Sequence, residues 1–181
     1  MQMLKTRDMT YIALGAALIA IGAWINIPLA PPLVPFTLQT FAVFAVLMTL
    51  GKRRGGFAVL IYILLGAVGV PVFAGFRGGI GALLGTTGGY ILGFFAMCAV
   101  YAAMTSLLRD TAPVRIAACV LGLAACYAFG TVWFYIVYLR TTGPVGIGTV
   151  LSWCVLPYIV PDLCKLAAAF RLASRLRKVI H

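Results

Sequence analysis

The chain has 181 residues, of which 64% are apolar and only 9% charged, with a mean hydropathy of +1.10. An ordinary soluble domain carries roughly 25% charged residues, and 14 basic with 3 acidic residues cannot coat a fold of this size in polar groups. A soluble globular enzyme and a disordered chain are excluded; an integral membrane protein whose outer surface faces lipid is implied.

At about 20 residues per spanning helix, six spans need roughly 120 residues and leave about 60 for ends and loops. The expectation is an all-α membrane protein: a single bundle of six transmembrane helices over residues 1–181, with no second domain. A β-barrel would alternate apolar and polar residues, whereas the apolar runs here are continuous, as in YIALGAALIAIGAWI. The net charge of +11 does not point to nucleic acid, because the basic residues edge the apolar runs and form no aromatic-interleaved groove.

In chain order, the first span is predicted over Tyr11–Ile27, a retained helix without a small-x-small cleavage site. A proline-rich outer loop follows at Pro28–Pro35. The second span, Phe36–Leu50, is short, and the turn Gly51-Lys52-Arg53-Arg54-Gly55-Gly56 ends it. The third covers Phe57–Val70 and stops at Pro71. A glycine-rich stretch, FAGFRGGIGALLGTTGG, then leads to span four over Tyr90–Leu108 and span five over Val114–Leu139. The loop Arg140–Gly148 precedes a short outer helix at Ile147–Tyr158, and span six starts near Pro161-Asp162 and ends near Arg175.

Eleven Lys and Arg residues fall on one side of this topology: Lys5, Arg7, Lys52, Arg53, Arg54, Arg109, Arg115, Arg171, Arg175, Arg177 and Lys178. The other side has Arg77, Arg140 and Lys165. Such asymmetry places both termini in the cytoplasm.

Much chemistry is absent. The only histidine is His181, so Ser-His or Cys-His nucleophiles, histidine metal sites and histidine proton relays are not expected. There is no GxxxxGK[ST] for ATP. Cys98, Cys119, Cys126, Cys154 and Cys164 make an odd set without CxxC; those inside spans read as small packing residues. No metal or cofactor is expected, and Asp8 and Asp110 sit at the cytoplasmic surface.

The remaining acid, Asp162, lies three residues before Lys165 in PYIVPDLCK, so the two share a helix face. Pro161 before Asp162 suits a helix start. Two readings stand: a helix cap with a neighbouring salt bridge, or a polar pair gripping a small molecule that offers both N–H donors and an acceptor or anion. Gln39 in FTLQT could bond a ligand or a neighbouring helix. Arg77 could meet an anionic group or be solvated. The glycine-rich stretch reads as a lid folding over a pocket. Tyr90, Phe94, Trp133 and Tyr138 could stack on a ligand or belong to an interfacial belt. Ala13/Ala17 and Ala16/Ala20 form small-xxx-small pairs for close helix approach, within the bundle or against another subunit.

The segments VPFTLQT, LLGAVGVPVFAGFRGGIGALLGTTGGYILGF and LPYIVPDLCK resemble the biotin-specific S components of energy-coupling-factor (ECF) transporters, the BioY family. The resemblance extends from span one through span six. One departure is Thr86-Thr87-Gly88-Gly89, where the family often has Pro-Thr-Gly-Gly. The resemblance implies a six-helix, multi-pass subunit in the bacterial or archaeal plasma membrane. It binds biotin from outside and works with a transmembrane coupling subunit and two cytoplasmic ABC-type ATPases, themselves outside this chain. It implies that Asp162 and Lys165 bind the ureido ring and that Ala13 and Ala17 contact the coupling subunit. Gln39, Arg77, Tyr90 and Trp133 complete the candidate binding set, with Arg77 facing the anionic tail. Alternatives are a stand-alone secondary transporter, an S component for another vitamin, or an intramembrane enzyme; the missing histidine and carboxylate pair make the last a poor match.

Overall fold

The computed structural model describes residues 5–30 and 33–180, so Pro31 and Pro32 of the proline-rich loop and His181 lie outside the described residues. The element order is α1 (Thr6–Trp24), β1 (Asn26–Ile27), β2 (Phe36–Thr37), α2 (Gln39–Ala67), α3 (Ile80–Leu84), α4 (Gly88–Leu107), α5 (Ala112–Thr141), α6 (Ile147–Cys154) and α7 (Leu156–Ile180). The molecule is an all-α membrane bundle. By length and composition alone, α4, α5 and the stretch Ile147–Lys178 suffice to cross a membrane.

The second and third predicted spans are two limbs of α2. The six-residue basic turn expected between them contracts to one residue, Gly51, at φ 77° and ψ 176°. A positive φ is accessible to glycine without a Cβ clash, and one such residue reverses the chain. Lys52, Arg53 and Arg54, good helix formers, can then begin the second limb. Its antiparallel return is seen in the bond from Gln39 Nε2 to the Tyr62 hydroxyl, 2.8 Å, between residues nearly equidistant from Gly51.

Small residues set the helix spacing. Gly15, Ala16, Ala20 and Gly22 are buried on the face of α1 that packs along α2. In α4 against α5, a Cβ at Gly93 would lie 2.8 Å from Cys126 Sγ. Such approach gains dispersion contact that lipid-exposed helices cannot obtain from a hydrophobic effect. The core lies between these helices, with Phe44, Leu47, Tyr62, Phe73, Met97 and Tyr101 essentially inaccessible.

The two ends of the bundle differ. At one, Arg54 pairs with Asp8 at 2.6 Å, and Asp110 receives Arg115 at 3.3 Å and Arg177 at 3.1 Å. Lys52 donates to Ser106 at 2.6 Å, and Arg177 to the Met48 carbonyl at 3.2 Å. The basic residues counted at the termini and alternate loops thus gather at the end that carries the chain's own termini.

The opposite end is closed by loops. β1 and β2 pair antiparallel, Asn26 with Thr37 and Ile27 with Phe36, fixing both ends of the proline-rich loop. After α2 the chain forms a bridge between Phe73 and Arg77. Gly75 and Phe76 sit at φ 69° and 56°. Trp24 Nε1 donates to the Pro71 carbonyl at 2.8 Å and stacks on Phe76 at 5.3 Å.

The last span differs from the expectation. The helical break falls at Val155 (φ −124°, ψ −58°), and α7 starts at Leu156. Pro161 therefore lies inside α7, not at its start, and Asp162 does not cap it. In the sixth position of the helix, proline's missing N–H removes only the bond to the Pro157 carbonyl.

Candidate substrate site in the loop-covered end

Asp162 and Lys165 sit on the inward face of α7, 3% and 8% exposed. Their spacing puts both on one side of a single helical turn, and Lys165 Nζ lies 2.7 Å from Asp162 Oδ1. The same oxygen accepts the Thr40 hydroxyl at 3.0 Å, while Thr40 Oγ1 accepts from Lys165 Nζ at 3.2 Å. The three groups close a triangle that uses the Thr40 hydroxyl proton and two of the three Lys165 ammonium protons. On the other side, the Tyr127 hydroxyl donates to Asp162 Oδ2 at 2.5 Å. Lys165 Nζ also stands 4.0 Å from the centre of the Phe36 ring, a cation–π distance.

Burying two ions costs several kcal/mol each and is offset only when their remaining hydrogen-bonding capacity is met. Here α2 supplies Thr40, α5 supplies Tyr127 and the β2 strand supplies Phe36. The pair is a scaffolded polar centre in an otherwise apolar bundle, and no other ion pair among the described residues is buried on both sides.

A cavity enclosing about 780 Å³ of empty space, part of it open to solvent, lies over this centre. Its floor is Asp162, Lys165, Thr40 and Tyr127; aromatic and aliphatic walls come from Phe73, Tyr90, Ile91 and Phe94; Val34, Pro35, Ala74 and Arg77 roof it. A small set of polar groups within apolar walls is the usual composition of a small-molecule site. Tyr158, one turn before Asp162, donates its hydroxyl to the Val34 carbonyl and so ties the proline-rich loop to α7. An outer vestibule shares Pro35, Ala74, Arg77 and Thr87 with the cavity.

Five of the six candidate ligand residues line the cavity: Asp162, Lys165, Gln39, Arg77 and Tyr90. Gln39 is 6% exposed, its amide nitrogen held by Tyr62. Tyr90 shares a 3.1 Å hydrogen bond with Thr131. Arg77 is exposed at the rim, its Nε donating to the Ala74 carbonyl at 3.2 Å. The structure does not bring Trp133 to the cavity. Its Nε1 donates to the Gly85 carbonyl at 3.0 Å and its side chain fills the space above Gly89, so the ring anchors the glycine-rich loop from outside. Of the other aromatics, Phe94 lines the cavity and Tyr138 the vestibule.

Thr40, Tyr127, Phe36 and Tyr158 were not singled out by sequence. Thr40 adjoins Gln39, and Tyr158 stands four residues before Asp162 on the same helix face, so both had local signals. Tyr127 lies within an apolar run and had none.

The two alanine pairs of α1 separate cleanly. Ala16 and Ala20 are buried against α2, while Ala13 and Ala17 are exposed on the outer face of the bundle.

Fold and cavity together define a membrane-embedded helical bundle with a cavity of small-molecule size at one end. The BioY family model matches residues 1–181, and the chain belongs to the BioY family. The biotin transporter BioY of Thermotoga maritima is 41% identical over 175 residues, covering 96% of this chain and 97% of that protein. The probable biotin transporter BioY of Pyrococcus horikoshii is 38% identical over 174 residues, covering 96% and 98%. The fold matches a 2.1 Å crystal structure of the S-component for biotin from an ECF-type ABC transporter. The TM-score is 0.80 at 24% identity, with 95% of this chain and 91% of that one covered. Relatives across the family carry transporter names, and the chain is a transport protein rather than an enzyme.

Proposed function

We propose that this chain is the biotin-binding S component of an ECF importer, with the cavity over Asp162 and Lys165 as its substrate site. The observation that carries the assignment is the buried Asp162–Lys165–Thr40 triangle beneath an apolar cavity, in a chain of the BioY family. A ureido ring presents two N–H donors and one carbonyl acceptor. Asp162 Oδ1 already accepts from Lys165 and Thr40, but Oδ2 accepts only from Tyr127 and keeps a lone pair for one ureido N–H. Lys165 donates to Asp162 and Thr40 and has a third proton for the ureido oxygen. The carbonyl of Gln39, whose amide nitrogen is held by Tyr62, takes the second N–H. The valeryl chain lies along Phe73, Ile91 and Phe94, and its carboxylate reaches the rim at Arg77.

The whole chain acts as one binding unit crossing the plasma membrane six times. Its termini face the cytoplasm, where the basic residues are gathered, and the cavity faces outside. The exposed Ala13 and Ala17 seat the transmembrane coupling subunit, and two cytoplasmic ATPases drive reorientation of the bundle. Maleimide labelling of single cysteines placed at Lys5 and at Arg77 in intact cells tests the orientation: only the second is expected to react from outside.

Equilibrium binding of biotin, thiamin, riboflavin and folate to the purified chain tests the ligand. Saturable binding of biotin alone is the expected result. Binding of another vitamin in preference to biotin would replace the substrate assignment.

A further inference from the structure

At the end that carries the termini, a second depression lies away from the substrate cavity. It runs between α1, the first limb of α2 and the C-terminal part of α7, and encloses about 580 Å³ of empty space, part of it open to the surroundings. Its walls are apolar, formed by Leu14, Leu18, Val46, Leu50, Leu172 and Leu176. Leu14, Leu18, Leu172 and Leu176 are exposed, so the groove opens on the surface that meets lipid.

Two observations separate this groove from ordinary lipid-facing surface. Thr49, which lines it, is only 5% exposed, and its hydroxyl has no hydrogen-bond partner among the described residues. A buried hydroxyl is normally bonded, so the wall of the groove holds an unmet donor just beneath its surface. Next, Tyr11 at the rim carries two cations: the Arg7 and Arg54 guanidiniums stand 6.0 Å and 5.6 Å from its ring centre. Arg54 is neutralised by Asp8 at 2.6 Å, but Arg7 pairs with no carboxylate among the described residues. The rim therefore has net positive charge.

The depths of these groups match one molecule. Thr49 is two residues from the Gly51 turn, roughly 3 Å along the helix axis from the basic residues that follow it. A phosphate at the level of the basic turn puts glycerol ester carbonyls at the level of Thr49, and acyl chains alongside Leu14, Leu18 and Leu172. We propose that the groove is a binding site for one anionic phospholipid, its phosphate facing Arg7 and an ester carbonyl accepting the Thr49 hydroxyl. A helix of another protein fits less well. Its backbone carbonyls are bonded within the helix, so it leaves Thr49 unmet and brings no anion to Arg7.

The test uses the full chain, equilibrated with equal amounts of phosphatidylglycerol and phosphatidylcholine in detergent and examined by native mass spectrometry. The wild type is expected to retain one phosphatidylglycerol at least fivefold in preference to phosphatidylcholine. Arg7→Gln is expected to remove that preference, and Thr49→Val to lower retention of both lipids about threefold. Leu172→Trp, which fills the groove, is expected to abolish retention. A monodisperse gel-filtration peak and an unchanged melting temperature establish that each variant is folded; if Leu172→Trp is not, the first two variants decide. Equal retention of both lipids by the wild type, or an undiminished preference in Arg7→Gln, overturns the proposal. So does a Thr49→Val variant that retains lipid as the wild type does.

Discussion

Replacing Asp162 with Asn preserves the shape of the side chain and removes its charge. In the structure Oδ1 accepts from Lys165 and Thr40 and Oδ2 accepts from Tyr127. An amide can keep the first set, but it turns a donor toward the Tyr127 hydroxyl and toward any ligand N–H. The lost charge-assisted bond is worth about 1.5–3 kcal/mol, which raises the biotin Kd about ten- to 150-fold. The same change leaves Lys165, 8% exposed, as an uncompensated buried cation. Breaking such a pair from one side costs about 3–5 kcal/mol of stability, so the variant also melts lower. Asp162→Asn/Lys165→Met removes both charges and is expected to recover most of the melting temperature while binding biotin no better than the single variant. Titration of purified protein with labelled biotin, beside a thermal melt in the same detergent, reads both quantities. A single variant that binds biotin with wild-type affinity would refute the assignment of the carboxylate to the ligand. Recovery of affinity in the double variant would show instead that the single loses binding only through misfolding.

Tyr158→Phe removes the bond that ties the Val34 carbonyl to α7; at about 1 kcal/mol for a neutral hydrogen bond, biotin should dissociate roughly fivefold faster in a filter-chase experiment, and an unchanged rate would show that the loop is held by other contacts. Gly66→Ala places a Cβ 2.0 Å from the Phe73 ring, an overpacking expected to cost about 1–3 kcal/mol and to lower the melting temperature; an unaltered melt would mean that Phe73 moves freely. Ala17→Trp adds bulk on the exposed face of α1 and should leave biotin affinity unchanged while the coupling subunit is lost on affinity purification; undiminished co-purification would remove α1 from that interface.

The fold was legible where composition alone governs it. The long apolar runs of α4 and α5 could only be spans, and the basic edges marked one end of the bundle. Boundaries were less legible where a single residue decides them. Nothing in GKRRGG distinguishes a six-residue turn from a reversal at Gly51 alone, because the difference rests on packing between the limbs of α2. Pro161 looked like a helix start because its missing N–H is harmless there; placing it inside α7 required the break at Val155, a residue with no turn chemistry. In the site, Asp162 and Lys165 were legible because charge is rare in this chain. Tyr127 was not: an aromatic residue in an apolar span looks the same whether it meets lipid or a carboxylate. Trp133 shows the converse, an aromatic at the right height that faces the other way because Gly89 leaves space for it outside the cavity.

The distribution of charge bears on how a bound molecule could cross. Between the Asp162 triangle and the ion pairs around Asp8 and Asp110 lies a core of Phe44, Leu47, Met48, Met97, Tyr101 and Cys119, all at most 1% exposed. A path through it would have to part α4 from α5 where Gly93 meets Cys126 and Gly122 meets Met97 in close approach, and would carry a ureido group past residues that offer it almost no hydrogen bonds. Desolvating such a group without partners costs several kcal/mol. Movement of the whole bundle relative to the bilayer avoids that cost, since a ligand held as proposed keeps its contacts with Asp162 and Lys165 throughout. It exposes instead the polar ends of the bundle to lipid, a cost that falls on the protein surface and that the proposed ATP-driven coupling at α1 would meet.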